Sequence, residues 1–458
     1  MQRTDRLSKI LKDTPFNAFI SWAMVTLLLV LCVLNLMDGR LTWSILIAVL
    51  IVIIVAPALL MRKLSVMPSW YFIILAIMPI IGNTTAHHFF FTGIPIYFSV
   101  ATIALLLAAE INWFTSVRMN SKFAVLLVVI TTLAMSGLWH LLHWLLDVNF
   151  GTAFLLDGRS QETVNAAVMH EFMYATLAGV AAGVIFGWYF SSAEPFKSVA
   201  PSSRSSDGTH EETLPERPMP IRKLLGISME KQMLATRIMQ GGLFLLLIVS
   251  ILMRDLHTAL NAIAGLAITF VPSLITRKYN IVLDAGLTVW ITLAIFMDAL
   301  GTFAFYDNVA RWDNLTHTLS ASVIAAAGYV LIRAIDIHTE EIYIPPRVMF
   351  ILILLFVLAT GVLWEILEFL TDELTAEFGY KAVLAQHGIN DTMRDLSFNL
   401  LGAVFTATWG TAYLSDISYR LADRFGETSS RGDASDISEV IEEQRQPEVF
   451  LGDLKDKE

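Results

Sequence analysis

The sequence predicts an all-α, polytopic transmembrane helical bundle, and three observations carry that prediction. Of 458 residues, 55% are hydrophobic and 16% charged, with a mean hydropathy of +0.63. The apolar residues gather in runs of about 18–25, the length that crosses a hydrocarbon core. The basic residues fall between the runs with a one-sided bias. This is a membrane composition rather than that of a soluble multidomain chain.

In chain order the runs give twelve expected spans, roughly 16–37, 41–61, 70–91, 94–115, 122–146, 163–190, 238–256, 258–276, 282–305, 314–335, 348–371 and 393–415. The first follows a basic segment (Arg3, Arg6, Lys9, Lys12). It is longer than a signal-peptide core and is expected to be kept as a helix. Tight turns are expected at Asp38-Gly39-Arg40 and at Asp255. Residues 191–237 contain SSRSSDGTHEETLPERPMP and read as a flexible linker. The chain turns acidic and hydrophilic beyond Asp416. The expected domains are therefore 1–190, 191–237, 238–415 and 416–458.

Topology follows from charge. Of the 31 Lys+Arg, Arg40, Arg159, Arg254, Arg311, Lys381 and Arg394 fall on one side of the spans. The rest fall on the other, which the positive-inside rule makes cytoplasmic. Both termini are then expected inside, in the cytoplasmic membrane of a prokaryote. The single cysteine, Cys32, excludes an intrachain disulfide framework and a cysteine-based zinc site. No basic stripe marks a nucleic-acid partner. Membrane lipid is the expected partner.

The chain also repeats itself. LWHLLHWLLD (Leu138–Asp147) returns as LWEILEFLTD (Leu363–Asp372), with five of ten positions identical. Pro57-Ala-Leu-Leu-Met-Arg-Lys63 returns as Pro272-Ser-Leu-Ile-Thr-Arg-Lys278, and Glu162-Thr163 as Asp391-Thr392. The offsets are 215, 225 and 229 in chain order, as small loop insertions would produce. Two six-span repeats of one orientation are expected, related by a pseudo-twofold along the membrane normal.

Candidate chemistry lies in the second repeat. Asp313 and His317 are i,i+4; Glu365, Glu368 and Asp372 are i, i+3 and i+7; Asp391, Asp395, Asn399 and Gly402 are i, i+4, i+8 and i+11. Each set falls on one helix face. All three lie at the outer ends of spans ten to twelve, where lipid cannot solvate them. Clustered carboxylates cannot all stay ionised without a counter-charge. A divalent cation could be held by Asp313, His317, Glu365, Glu368, Asp391 and Asp395. Arg394 or Arg311 could pair with some of them. Or some could be protonated, with His317, Glu365, Asp395 and Asp313 serving as acid and base. Oxygen-rich ligands with one imidazole favour Mg²⁺, Mn²⁺ or Ca²⁺ over Zn²⁺, unless His387 joins in. Arg394 and Asn399 are candidates for binding a substrate. Asn399 and Gly402 also suit helix packing, and Asp307, Asp372 and Asp391 suit the headgroup zone. Asp298 sits within a span without an evident partner.

In the first repeat His140 and His143 replace the two glutamates, and Ala166 stands where the second has Asp395. The region near Tyr97, which matches His317, has no histidine. The expectation is a degenerate copy that packs.

The pattern Asp313-x-x-x-His317, a late glutamate (Glu365 or Glu368), then Asp391-Thr392-x-x-Asp395-x-x-x-Asn399-x-x-Gly402 resembles the VanZ-like and YjdF-type membrane protein families. The resemblance covers about Leu283–Trp409. It implies a fold and candidate residues, with no settled reaction. The Glu365-x-x-Glu368 pair departs from the E-x-x-Q expected of VanZ-like proteins, so antibiotic resistance is not carried over. Three functions compete: a membrane enzyme acting on lipid or lipid-linked sugar headgroups, a proton- or cation-coupled transporter, and a non-catalytic scaffold.

Overall fold

The computed structural model describes residues 10–85, 94–191, 228–279, 285–309, 311–339, 341–377, 386 and 388–410. Helices dominate. The first six are α1 (Pro15–Met37), α2 (Leu41–Leu60), α3 (Trp70–Thr85), α4 (Ile94–Phe114), α5 (Ser121–Phe150) and α6 (Gln161–Ser191). Then come α7 (Met229–Met253), α8 (Leu256–Thr269), α9 (Val271–Tyr279), α10 (Ala285–Leu300), α11 (Trp312–His338), α12 (Pro346–Glu377) and α13 (Ile389–Phe405). Two π-helical stretches, Gly301–Phe305 and Thr406–Gly410, follow α10 and α13. Among the described residues ten helices are long and apolar enough to cross a membrane. The chain is a multi-pass, all-α membrane protein. The two expected spans outside these ten are α3, with 16 described residues, and α13, with 17.

The helices carry the inverted pattern that lipid imposes. On α1 the buried face holds Asn17, Ser21 and Asn35 with Val25 and Leu28, while Leu29, Val33 and Leu36 are exposed. Inside the bundle a polar side chain finds a backbone partner that lipid cannot supply. Asn17 Nδ2 donates to the Pro68 carbonyl at 3.1 Å, and its Oδ1 accepts from the Trp70 amide at 3.0 Å. These bonds anchor a short antiparallel pair, β1 (Leu11–Asp13) with β2 (Val66–Pro68). Three-residue strands have no hydrophobic period to read, so the sequence did not announce them.

Both expected turns form. Gly39 takes φ +72°, and Arg254 takes φ +57° directly before Asp255, which caps α8 by accepting from the Thr258 amide at 3.2 Å. The expected span 258–276 forms within Leu256–Arg277, with one non-helical residue inside it. α8 stops at Thr269 and α9 restarts at Val271, because Pro272 has no N–H to continue the ladder.

Packing follows one scheme twice. α1 packs on α2 and α3, α3 on α4, α4 on α5 and α6, and α5 on α6. In the same order α7 packs on α8 and α10, α10 on α11, α11 on α12 and α13, and α12 on α13. The two sets meet through α5 and α6 against α12 and α13. Leu133, Phe172, Leu358, Val362 and Met393 form the core between them. Near one end of the bundle the loop before α5 pairs with the loop before α12. The Arg118 amide donates to the Tyr343 carbonyl at 3.0 Å, and the Tyr343 amide to Arg118 at 2.8 Å.

Candidate functional site

The site lies at the end of the bundle that carries the α5–α6 connection, where α11, α12 and α13 converge. α11 opens at Arg311, held at φ +70°, and its first turns project Asp313 and His317 from one face. α13 lies close alongside because Gly402 has no side chain. A Cβ there would meet the Thr318 carbonyl oxygen at 2.2 Å. Gly361 on α12 admits Leu396 and Asn399 in the same way. These approaches bring Asp395 and Asn399 onto His317.

His317 Nε2 lies 3.5 Å from Asp313 Oδ1 and 3.6 Å from Asp395 Oδ1, and His317 Nδ1 lies 3.4 Å from Asn399 Oδ1. One ligand atom each of Asp313, His317 and Asp395 falls within 4.8 Å of the others. Asp395 is 4% exposed, and its Oδ1 has no hydrogen-bond partner among the described residues. Glu365 is fully buried. Its Oε2 accepts from Gln386 Nε2 at 3.0 Å, while its Oε1 has no hydrogen-bond partner among the described residues. The charges of Glu365, Asp313 and Asp391 all act on Asp395. A buried acidic cluster of this kind must share protons or hold a cation to avoid the cost of uncompensated charge.

The donor set fits a hard divalent cation. Two carboxylates and one imidazole within 4.8 Å of one another can be bridged by an ion bound at about 2.1–2.4 Å. Asp313, His317 and Asp395 would hold it, and the ion would supply Lewis acidity. Glu365, Glu368 and Asp391 lie outside this trio of ligand atoms. Glu368 Oε1 accepts from Trp364 Nε1 at 2.9 Å, and Asp372 accepts from the Gln386 amide at 2.9 Å. Beside the trio opens a cavity of about 460 Å³ lined by Arg311, Asp313, Asn314, Asp391 and Arg394. Arg394 thus borders the same space as Asp313, whereas Asn399 is buried against His317. His387 and His87-His88 lie outside the described residues, as do Asp284 and the side chain of Asp307.

Four partners, Gln386, Asn165, Tyr306 and Asn261, were not marked as such in the sequence. Gln386 precedes α13 in a connection without periodicity. Its Oε1 accepts from Asn165 Nδ2 at 2.7 Å, and Asn165 Oδ1 accepts from Thr392 at 3.0 Å. The first six helices therefore reach into the site of the second six. Asp298, left without a partner by spacing alone, accepts from Tyr306 at 2.6 Å and from Asn261 at 3.1 Å. Eight residues apart on a regular helix, Asp298 and Tyr306 would diverge; the π turn between them brings them together.

Residues 235–416 match the model of a family described as "Predicted membrane protein (DUF2238)". That stretch contains Asp313, His317, Glu365, Gln386 and Asp395. Residues 5–67 match a second model, described as "Domain of unknown function (DUF8268)". An "Uncharacterized protein" of Thermotoga maritima is 35% identical over 98 residues, which is 21% of this chain and 46% of that protein. The chain therefore spans less than half the length of that curated relative. No solved structure matches.

Proposed function

We propose that this protein is a membrane-embedded enzyme whose Asp313–His317–Asp395 centre binds a divalent cation and acts on lipid or lipid-linked sugar headgroups at the outer face. One observation carries the reading. The buried Oδ1 of Asp395, unpartnered among the described residues, meets the ligand atoms of Asp313 and His317 beside a cavity bordered by two arginines. Arg311 and Arg394 supply positive charge where an anionic headgroup would enter. The ion would supply Lewis acidity at the reacting oxygen, and Glu365, outside the trio of ligand atoms, would hold the proton.

The topology that goes with this reading has twelve spans and both termini inside a prokaryotic cell membrane. Its boundaries are 1–190, 191–237, 238–415 and 416–458, and its two halves are parallel repeats of a VanZ-like or YjdF-like unit. The doubled packing scheme supports it. So do the helix starts. Pairing Pro15 with Met229, Leu41 with Leu256, Trp70 with Ala285, Ile94 with Trp312, Ser121 with Pro346 and Gln161 with Ile389 gives separations rising from 214 to 228. Contacts between residues paired by these separations support an axis between the halves. Arg118 pairs with Tyr343, a Cβ on Gly137 would meet Val362 Cγ2 at 2.7 Å, and Gln161 Oε1 accepts from the Asn390 amide at 3.1 Å.

Transport is the second reading. The axis is filled by Gly137, Val362 and Leu358 between α5 and α12, which favours a site closed from below. The acidic tail that a scaffold would use lies outside the described residues.

The test is the lipid and envelope profile of a deletion strain carrying wild type, Asp395→Ala or His317→Ala. The variants should reproduce the deletion profile. Profiles identical to wild type from well-expressed variants would remove the enzyme.

A further inference from the structure

We propose that the first six helices hold a binding site of their own, whose ligand is a proton and whose residues are Tyr97, His140 and Glu171. Each comes from a different helix: α4, α5 and α6. His140 is 3% exposed. Its Nδ1 lies 2.9 Å from the Ser136 carbonyl oxygen, and its Nε2 lies 3.0 Å from Glu171 Oε2. The Tyr97 hydroxyl donates to that same Oε2 at 3.0 Å.

The hydrogen-bond inventory fixes the proton count. A backbone carbonyl only accepts, so Nδ1 must carry a hydrogen. A neutral imidazole with Nδ1–H presents a lone pair at Nε2. An ionised carboxylate also only accepts. Two acceptors at 3.0 Å repel, so one further proton lies between Nε2 and Oε2. The Tyr97 hydroxyl donates to the same Oε2, and a donor to the carboxylate favours its ionised form. The site is then an imidazolium–carboxylate pair with a tyrosine donor. Uptake of the proton forms Nε2–H···Oε2. Release leaves the imidazole neutral.

Other titratable groups lie close, and the charge of His143 acts on Glu171 as well as on His140. On α5, Asp147 is occupied by the Thr152 hydroxyl and the amides of Phe154, Leu155 and Leu156. His143 stacks on Phe154, although its charge and that of His140 act on each other. On α6, His170 bonds the Ala166 carbonyl and turns its ring to Phe369. α12 presents Val362 and Leu358 to this stretch of α5 at Gly137, and α13 presents Asn390 to Trp144. Phe172 covers the His140 ring edge-on at 5.3 Å. This reading gives the first six helices a site of different chemistry, in place of a copy that merely packs. This proposal does not depend on the cation centre.

Nitrogen-15 spectra of histidine-labelled full-length protein in lipid nanodiscs test it. At neutral pH wild type should show His140 protonated on both nitrogens, a signal lost in His140→Gln. Glu171→Gln, which keeps the shape of the site, should return His140 to a single protonated nitrogen. Tyr97→Phe should leave the doubly protonated signal in place. A neutral His140 in wild type would overturn the proposal, and so would a doubly protonated His140 surviving in Glu171→Gln. Should His140→Gln misfold, the signal that changes in Glu171→Gln identifies His140.

Discussion

Asp395 ends in an oxygen without a hydrogen-bond donor among the described residues, and in a buried place that is costly unless a proton or a cation completes it. Purified wild type should bind Mn²⁺ with one strong site by electron paramagnetic resonance. Asp395→Ala should weaken that binding at least about tenfold, the loss of one charged ligand. Equal affinity in both would assign the cluster to protons alone. Gln386→Ala tests the second tier. It leaves Glu365 Oε2 and Asn165 Nδ2 without their partners, and should cost about 1–3 kcal/mol, read as a lower unfolding midpoint in nanodiscs. Asp313, His317 and Asp395 were legible because each shares a helix face with another polar residue. Gln386 and Asn165 were not. One lies in an aperiodic connection and the other stands 221 positions away, and only tertiary folding unites them.

At the scale of elements, close approach of α11 and α13 sets the geometry of the site. Gly402→Ala drives a methyl into a backbone carbonyl, so a helix must move. It should destabilise by about 1–3 kcal/mol and weaken Mn²⁺ binding as His317 and Asp395 part. Gly137→Ala meets side-chain atoms of Val362 and Leu358 rather than backbone and should cost less. The α8 cap makes a pH prediction. The Thr258 hydroxyl, and then its amide, hold the Asp255 carboxyl below the usual carboxylate range. Its stabilisation is therefore complete above about pH 4, the unfolded value, and is lost as pH falls through the lower folded value. Asp255→Ala should lower stability by about 1 kcal/mol at neutral pH and flatten the acid limb of the thermal-midpoint profile. Apolar length told where helices run. It did not tell where the interruption at Phe270, the π turn at Gly301 or the β1–β2 pair would fall, since those depend on single residues and distant partners.

For the whole molecule, the reciprocal pairing of Arg118 with Tyr343 gives a direct check. With Cys32 replaced by serine, Arg118→Cys with Tyr343→Cys should form an oxidised link between the halves, seen as comigration after cleavage of the linker. Failure of that link in folded protein would remove the axis. The helices also measure something. Counted at about 1.5 Å per residue, His317, Glu365, His140 and Glu171 stand about 28–32 Å from the opposite ends of their helices. A typical hydrocarbon core is about 30 Å thick. The titratable groups of both halves thus sit at the edge that the surrounding lipid, not the protein, decides. Shorter acyl chains would lift them into water, where carboxylates ionise freely and a cation is weakly needed. Longer chains would draw them among methylenes, where charge must be matched. Reconstitution across a series of acyl lengths would then change proton and cation occupancy in one unaltered sequence. The bilayer itself becomes a setting on the chemistry.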